Sequence, residues 1–135
     1  MNDLIDKPTR EQINRLESRL LEMPQAEILT EHTFGPGFYA RTITLPEGTV
    51  LTGKVHATEH IFLLSKGEMT LVTEQGRMTV KAPFQVVARP GTKRAGYAHT
   101  ESVCTNLHIT TETDLAKLEA DLIEPELLPA PEGEH

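Results

Sequence analysis

The 135-residue chain has no tryptophan, one cysteine and only 4% aromatic residues. Because Cys104 is alone, the chain cannot form an internal disulfide, which excludes a disulfide scaffold and an all-cysteine zinc site. The six tyrosines and phenylalanines offer little surface on which bases can stack, so a platform for single-stranded nucleic acid is excluded. No apolar run approaches the roughly 20 residues that span a bilayer, and we predict no membrane association.

The N-terminal sequence MNDLIDKPTREQ has neither the basic start nor the apolar core of a cleaved secretion signal. Together with the lone cysteine, it predicts a protein located in the cytoplasm of the cell that makes it. A chain of this length forms one compact domain, so a multi-domain enzyme is excluded.

Charge is distributed unevenly along the chain, whose formal net charge is −7. Residues 1–33 hold 4 basic and 7 acidic side chains, residues 34–110 hold 8 and 5, and residues 111–135 hold 1 and 8. The acidic total disfavours nucleic-acid binding, which needs a continuous cationic surface. The basic middle leaves room for a pocket that binds a small anion, whereas acidic ends are typical of solubilising segments.

Helices are predicted at both ends of the chain. The sequence TREQ, beginning at Thr9, has capping-box spacing, and apolar residues then recur on one helical face. This pattern predicts a helix from about Arg10 to Met23. A second helix is expected over residues 111–123, with an apolar stripe formed by Leu115, Leu118 and Leu122.

Between these helices the chain consists of short β-prone pieces separated by turn signals. They are FYARTITL, TVLTGKVH, IFLLS, EMTLVT, RMTVKA, FQVVA, RAGYAH and VCTNLHI, which predict about eight strands. No intervening stretch suits a crossover helix, so the strands must pair antiparallel, in a closed or double-sheet barrel. We assign residues 1–35 to a helix and lead-in, 36–110 to a mainly β barrel, and 111–135 to a helix and an acidic tail.

The segment from Gly53 to Gly67, GKVHATEHIFLLSKG, resembles the first motif of the cupin superfamily, the RmlC-like jelly rolls. That motif is written G-x5-H-x-H-x3-4-E-x6-G. Counting back from Gly67 puts His60 at the family's glutamate ligand and His56 at the second histidine, and Lys54 replaces the first histidine.

The sequence RPGTKR, from Arg89 to Arg94, is similar to the second cupin motif, P-x-G-x2-H, with Arg94 at the ligand histidine. The resemblance covers roughly residues 36–110. It implies a single cupin-like jelly roll with a helix on either side. It also implies a homo-oligomer, since barrels of this family are commonly paired.

A lysine and an arginine do not ligate a divalent ion at neutral pH, so the four-ligand cupin site is not intact. The remaining histidines offer a replacement set for a divalent transition metal: His56 and His60, with His108 as third ligand and His99 as the alternative. Structural histidines, or acid–base catalysis without a metal, are the other interpretations.

Strand alternation supports His108 as the third ligand. It shares one face of its strand with Asn106 and Cys104, and this polar face is the one that would line a barrel lumen. Glu59 is a candidate acceptor for the N–H of a ligating imidazole, an arrangement that fixes the tautomer of the ring.

Cations cluster in the second motif. Lys93 and Arg94, with Arg89 and Lys54 nearby, would suit a carboxylate or phosphate if they converge at the mouth of the barrel. They would equally suit an acidic segment of a neighbouring subunit.

Tyr97 and Glu101 are close enough in sequence to contribute to such a pocket. We therefore assign Lys54, Arg94 and Tyr97 to the binding of a ligand or cofactor. The structural alternative is an ion pair from Arg94 to Glu59 or Glu101 inside the barrel.

The combination of HxxxH, PGTKR, a Tyr-Ala segment, TNLH and TETDL is also similar to small cupin-type proteins encoded by tailed bacteriophages. That resemblance implies a virion component or an accessory protein, with other virion proteins as partners and no defined activity.

Two functions remain open. The first, which we favour from the sequence, is a noncatalytic assembly module that binds neighbouring chains, because two of the usual ligands are replaced. The second is a metal-dependent cupin enzyme or binding protein acting on a small anionic molecule, favoured by His56 and His60 at motif positions.

Overall fold

The computed structural model describes residues 7–53 and 55–122. Helix α1 spans Arg10–Leu21 and helix α2 spans Leu115–Leu122. Between them run the strands β1 (Leu29–Gly35), β2 (Phe38–Leu45), β3 (Val50–Thr52), β4 (His60–Lys66), β5 (Glu68–Thr73), β6 (Gly76–Lys81), β7 (Phe84–Ala88), β8 (Arg94–Ala98) and β9 (Ser102–Ile109).

The strands form two antiparallel sheets. One has five strands in the order β1-β2-β9-β4-β7, and the other has four in the order β3-β8-β5-β6. Neighbours along the chain lie in different sheets at several places, so the chain crosses repeatedly between the two layers. The predicted mainly β barrel of antiparallel strands is confirmed.

Most strand bounds follow the sequence pattern closely. The pieces FYARTITL, EMTLVT and FQVVA coincide with β2, β5 and β7 residue for residue. Strand β1 was not predicted and lies within residues 1–35, the segment assigned to a helix and lead-in. Among the described strands it pairs only with β2, and most of its residues are exposed, which agrees with the lack of an apolar alternation in its sequence LTEHTFG.

The core lies between the two sheets, because alternate residues of each strand point to the same side. In β4, for example, His60, Phe62 and Leu64 are buried, and the residues between them are more exposed. Strands of both sheets contribute to one apolar cluster, which consists of Leu45, Phe62, Leu64, Met69, Leu71, Val80, Ala98 and Cys104.

The turn from β4 to β5 depends on Gly67, the last glycine of the first motif. Its φ is +95°, a conformation that side chains with a Cβ rarely adopt. A Cβ at this position would also collide with the Glu101 carbonyl oxygen and the Ser102 side chain. The turn therefore packs directly against the start of β9.

Helix α1 begins at the predicted capping box. The Thr9 hydroxyl accepts from the Gln12 backbone N–H, and the Gln12 side chain accepts from the Thr9 backbone N–H. The helix ends at Leu21, two residues before the predicted Met23. Near its start, Arg10 contacts the Glu74 carboxylate, with Nε and Oε1 2.9 Å apart.

A buried ion pair fastens α1 to the outside of the four-stranded sheet. Lys93 Nζ lies 2.8 Å from Glu17 Oε1, and the Thr52 hydroxyl donates to Glu17 Oε2 at 2.7 Å. Lys93 is fully buried and Glu17 is 8% exposed. Because a buried charge is costly unless it is paired, this contact ties helix and sheet together.

Helix α2 packs its Leu118 against Tyr39 of β2. The Asp114 carboxylate accepts from the Ala116 backbone N–H at 2.9 Å and so caps the first turn. Neither described helix has the length and apolar content needed to cross a membrane.

We expect Glu17→Gln to lower the free energy of unfolding by about 3 kcal/mol, because it removes the carboxylate that compensates the buried Lys93 ammonium. Urea unfolding measures this difference. Glu22→Gln, at an exposed position just after the same helix, is the matched control and should change stability by less than about 0.5 kcal/mol. Equal losses in the two variants would contradict the role of the ion pair.

Candidate metal centre

Two histidines reach the interior from adjacent strands of the five-stranded sheet. His60 begins β4, where it pairs with Ala88 of β7, and His108 lies near the end of β9, opposite Tyr39 of β2. They are 6% and 2% exposed. The predicted alternation in β9 is confirmed, since His108 and Cys104 are buried on the same side of the strand.

A third histidine, His56, comes from the segment between β3 and β4. Its carbonyl oxygen accepts from the Gly91 backbone N–H at 3.0 Å, which ties this segment to the one that precedes β8. Its neighbour Val55 is 2% exposed and anchors the segment in the barrel. The half-buried His56 side chain therefore occupies a defined position.

The three imidazoles form a compact cluster. Ring centroids are 4.2 Å apart for His56 and His60, 4.7 Å for His60 and His108, and 5.0 Å for His56 and His108. One nitrogen from each ring can be chosen so that all three lie within 4.8 Å of one another. This set joins residues that are up to 52 positions apart, from 56 to 108 in the chain.

Several nitrogen atoms of the cluster have no hydrogen-bond partner among the described residues. They are His56 Nδ1, both ring nitrogens of His60 and His108 Nδ1, and all four are buried. Buried polar atoms are rarely left unpaired, because each costs about 1–3 kcal/mol in lost solvation. Their convergence therefore needs an explanation other than structural hydrogen bonding.

Burial keeps the cluster uncharged. It lowers the pKa of His56 from 6.5 to about 3, and the neighbouring His60 and His108 rings and Arg94 add to the shift. Burial, His108 and Arg94 lower the pKa of His60 to about 4, although the nearby Thr58 backbone and Asn106 side chain favour the protonated ring. Burial also lowers the pKa of His108. At neutral pH all three rings are therefore neutral imidazoles with lone pairs available.

This donor set fits a divalent transition metal ion. Neutral imidazole nitrogens are its common ligands, with metal–nitrogen distances of about 2.0–2.1 Å. Ligands around one ion are then about 3–3.5 Å apart, so small side-chain movements would bring the three nitrogens into position. One nitrogen of each ring would gain a partner in the ion, while the second nitrogen of His60 would stay without a hydrogen-bond partner among the described residues.

Arg94 lies next to the cluster on the inner wall. It begins β8 and shares a face with Gly96 and Ala98, both of which are buried. Its guanidinium carbon lies 4.9 Å from the centroid of the Phe62 ring, within the range of a cation–π contact. Burial lowers the pKa of Arg94, although a guanidinium group stays charged in proteins.

No protein-family model and no curated protein matches the sequence. Solved structures do match its architecture. KdgF from Halomonas sp. superposes with a TM-score of 0.56 at 16% identity, over 69% of this chain and 88% of its own. A cupin superfamily protein from Desulfitobacterium hafniense superposes with a TM-score of 0.54 at 8% identity, over 67% and 86%. The fold is that of the cupins.

A third cupin-like match is the acetylacetone dioxygenase of Acinetobacter johnsonii. It has a TM-score of 0.52 and 20% identity, over 64% of this chain and 66% of its own. At these identities the likeness extends to the fold alone.

The cupin fold brings some of the predicted site residues together. His56, His60, His108 and Arg94 meet inside the barrel, whereas Lys54 lies outside the described residues.

Tyr97 does not join the site. It is three residues from Arg94 in β8, so the two side chains point to opposite faces of the sheet. Tyr97 is 40% exposed and makes an edge contact with His99. The structure therefore does not bring Tyr97 to the three histidines, and its role in binding a ligand or cofactor stays a prediction from the sequence.

Lys93 does not reach the mouth of the barrel either. As the residue before Arg94 it faces outward, where α1 covers it and Glu17 pairs with it. The expected convergence of Lys93 and Arg94 is wrong because adjacent residues at the start of the strand face opposite sides.

The predicted acidic partners of the site also bind elsewhere. Glu59 is exposed, and its Oε2 lies 3.8 Å from Arg89 Nη1. Glu101 pairs with Lys66, with Oε1 and Nζ 2.7 Å apart. Neither carboxylate contacts Arg94, and Glu59 does not orient an imidazole. The alternative ligand His99 is exposed and contacts the Thr70 hydroxyl at 2.6 Å.

Sequence reasoning missed two inner-wall neighbours on β2, Tyr39 and Arg41. The Tyr39 ring stacks near His108, with centroids 6.1 Å apart, and its hydroxyl lies 2.8 Å from His32 Nδ1. Arg41 pairs with Asn106 of β9, whose buried Oδ1 has no hydrogen-bond partner among the described residues. The alternation in FYARTITL, which places both on the face of Leu45, was the available signal.

In the metal-free protein we expect the free energy of unfolding to fall as the pH is lowered from 7 to 5. The folded pKa values of His56 and His60, about 3 and 4, lie below the ordinary 6.5. The unfolded chain therefore binds more protons in this window, and stability decreases with decreasing pH. Urea unfolding at several pH values measures the slope.

His56→Gln removes one of the titrating rings and should reduce this slope. His99→Gln, at an exposed position outside the cluster, should leave the slope as it is in the unmodified chain. The same slope in the chain with and without His56 would contradict the pKa shift.

Proposed function

We propose that this protein binds a divalent transition metal ion through His56, His60 and His108 and uses it to hold a small molecule. The observation that carries the proposal is the convergence of buried, unpaired imidazole nitrogens inside the barrel. A divalent metal ion is a partner that three neutral imidazoles can share, each through the lone pair of one nitrogen.

The number of ligands favours a working site over a structural one. Structural zinc sites are usually closed by four protein ligands, whereas catalytic sites use three and leave a position open. Within the described residues, no Cys, Asp or Glu joins the three histidines as a fourth ligand. A bound metal would supply Lewis-acid chemistry to whatever molecule takes the open position.

The protein's own residues hold the site in shape and keep it dry. Phe62 and Leu64 follow His60 on the inner face of β4 and are 5% and 1% exposed. On β9, the buried Cys104 closes the wall beneath His108. Because the three rings are neutral, they present lone pairs and not protons at neutral pH.

This proposal is preferred to the noncatalytic assembly module. A surface that binds neighbouring chains gives no role to imidazole nitrogens that are buried and unpaired within one barrel. One similar structure is named as a dioxygenase, which is compatible with metal chemistry on such a barrel. The homo-oligomer, the phage partners and the virion location stay predictions from the sequence.

Tyrosine emission can test the metal site directly, because the chain has two tyrosines and no tryptophan. In a Tyr97→Phe variant, Tyr39 is the sole emitter, and its ring lies 6.1 Å from His108. We expect stoichiometric Co²⁺ or Cu²⁺ to quench this emission strongly, because a paramagnetic ion at His108 would be within close range of the ring. Elemental analysis of untagged protein provides the stoichiometry.

Two controls make the quenching specific to the site. In Tyr39→Phe the remaining emitter is Tyr97 on the outer face, and its emission should stay nearly constant. A His56→Ala and His60→Ala double variant in the Tyr97→Phe background should lose the quenching, whereas His99→Ala should keep it. Quenching that survives the double variant, or none at stoichiometric metal, would overturn the proposed function.

A further inference from the structure

Arg94 is a cation on the inner wall without a counter-charge among the described residues. Its guanidinium group faces the Phe62 ring and makes no hydrogen bond or ion pair with the described part of the chain. Four carboxylates of the described residues contact other cations, in the pairs Glu17–Lys93, Glu59–Arg89, Glu74–Arg10 and Glu101–Lys66.

The thiol of Cys104 does not compensate Arg94. Burial raises the pKa of Cys104 to about 11, so the side chain is neutral at physiological pH even though Arg94 and Arg41 favour the thiolate. The inner wall near the histidines therefore carries positive charge without a negative group from the described residues. Arg94 is half-buried, and a charge that loses part of its hydration without gaining a partner carries a cost, so this wall is complementary to an anion.

A second guanidinium group acts on the same space. Arg41 lies on the inner face of β2, beside Asn106, and its side chain is exposed toward solvent. Arg41 and Arg94 both disfavour protonation of His56. One cation is thus half-buried and the other is exposed to solvent, and both attract an anion that approaches the histidines.

We propose that Arg94 and Arg41 bind the carboxylate of a small organic acid beside the three histidines. We call this part of the barrel interior, next to His56, His60, His108 and Arg94, the cup. This proposal names the class of ligand that the metal centre would take, and it therefore rests on the proposed function. Guanidinium groups bind carboxylates through two parallel N–H···O bonds, which a lysine cannot reproduce.

A carboxylate is favoured over a phosphate by the surroundings of Arg94. The Phe62 ring lies against the guanidinium group, and Cys104 and Leu64 are buried nearby in the same core. A phosphate dianion would lose more hydration than a single carboxylate on entering such an apolar wall. The hydrocarbon part of an organic acid, by contrast, gains from contact with it.

Metal and acid should assist each other. Three imidazoles add no negative charge, so a divalent ion beside Arg94 increases the positive charge of the cup. An acid that binds there reduces this repulsion, and by linkage each ligand raises the affinity for the other.

The test uses the full chain, first without metal, with malonate and acetate as probes and chloride at equal ionic strength as reference. We expect saturable malonate binding, detected as chemical-shift changes of the Arg94 side-chain N–H and as a higher Tm. Arg94→Gln should weaken malonate binding at least about tenfold, because it removes the charged bidentate contact. Arg89→Gln, which alters an exposed arginine outside the cup, should bind like the unmodified chain.

A second pair of variants guards against loss of folding. Arg94→Met should raise the Tm of the acid-free, metal-free protein, since it replaces an unpaired cation by an apolar chain of similar length. Arg94→Lys should fold and keep the charge but bind malonate more weakly. A lower Tm in Arg94→Met, or malonate binding in Arg94→Gln as tight as in the unmodified chain, would overturn the proposal. Tighter binding of inorganic phosphate than of acetate, the probe with a single carboxylate, would overturn it as well.

The two proposals fail in different ways. Metal-dependent quenching of Tyr39 without any response to malonate would overturn the carboxylate site and leave the metal site standing. Malonate binding at Arg94 without any quenching would overturn the metal site and leave the carboxylate contact standing. When both ligands bind, malonate should raise the affinity for Co²⁺, and an unchanged affinity would overturn their coupling.

Discussion

The antiparallel register between β4 and β9 is the constraint on which the site depends. Ile61 pairs with Leu107, so the preceding His60 and the following His108 are directly opposite each other on the inner face. The irregularity in this pair of strands lies between Leu64 and Lys66, at the other end of β4, and leaves the histidines in register. A slip of one residue in either strand would turn the histidine of that strand toward the outer face.

Periodicity predicts the parts of this arrangement that depend on neighbouring residues. The alternation in VCTNLHI places His108 and Cys104 on one face, and β9 buries that face. Turn residues separate the strands at the expected positions. Gly67 is an example, since it adopts a conformation that other residues avoid. The likeness of the first motif to the cupins added what periodicity lacks, namely that His56 and His60 would point into one barrel.

Contacts between distant residues were not predictable in the same way. Lys93 and Arg94 are adjacent cations with different surroundings. Lys93 pairs with Glu17, 76 positions away in the chain, whereas Arg94 contacts Phe62 in the barrel interior. Which of these two side chains faces inward depends on the residue at which β8 begins. A sequence predicts the start of a strand only to within about two to four residues, whereas a shift of one residue exchanges the two faces. The same uncertainty placed Tyr97 with Arg94, although an odd spacing in a strand separates them.

The two ends of the barrel differ in whether their buried polar groups have partners among the described residues. Toward the start of β9, Cys104 belongs to the apolar cluster, and the hydroxyl of the buried Ser102 donates to the Thr100 carbonyl oxygen. Toward its end, His108 leaves a buried nitrogen unpaired, and Arg94 remains a cation without a counter-charge among the described residues. Such costs are tolerable only where the rest of the fold is stable enough to offset them. The core therefore stabilises the fold enough to keep the site in place without a ligand. Each ligand that binds the folded chain raises the free energy of unfolding and so offsets part of the cost of the unpaired groups.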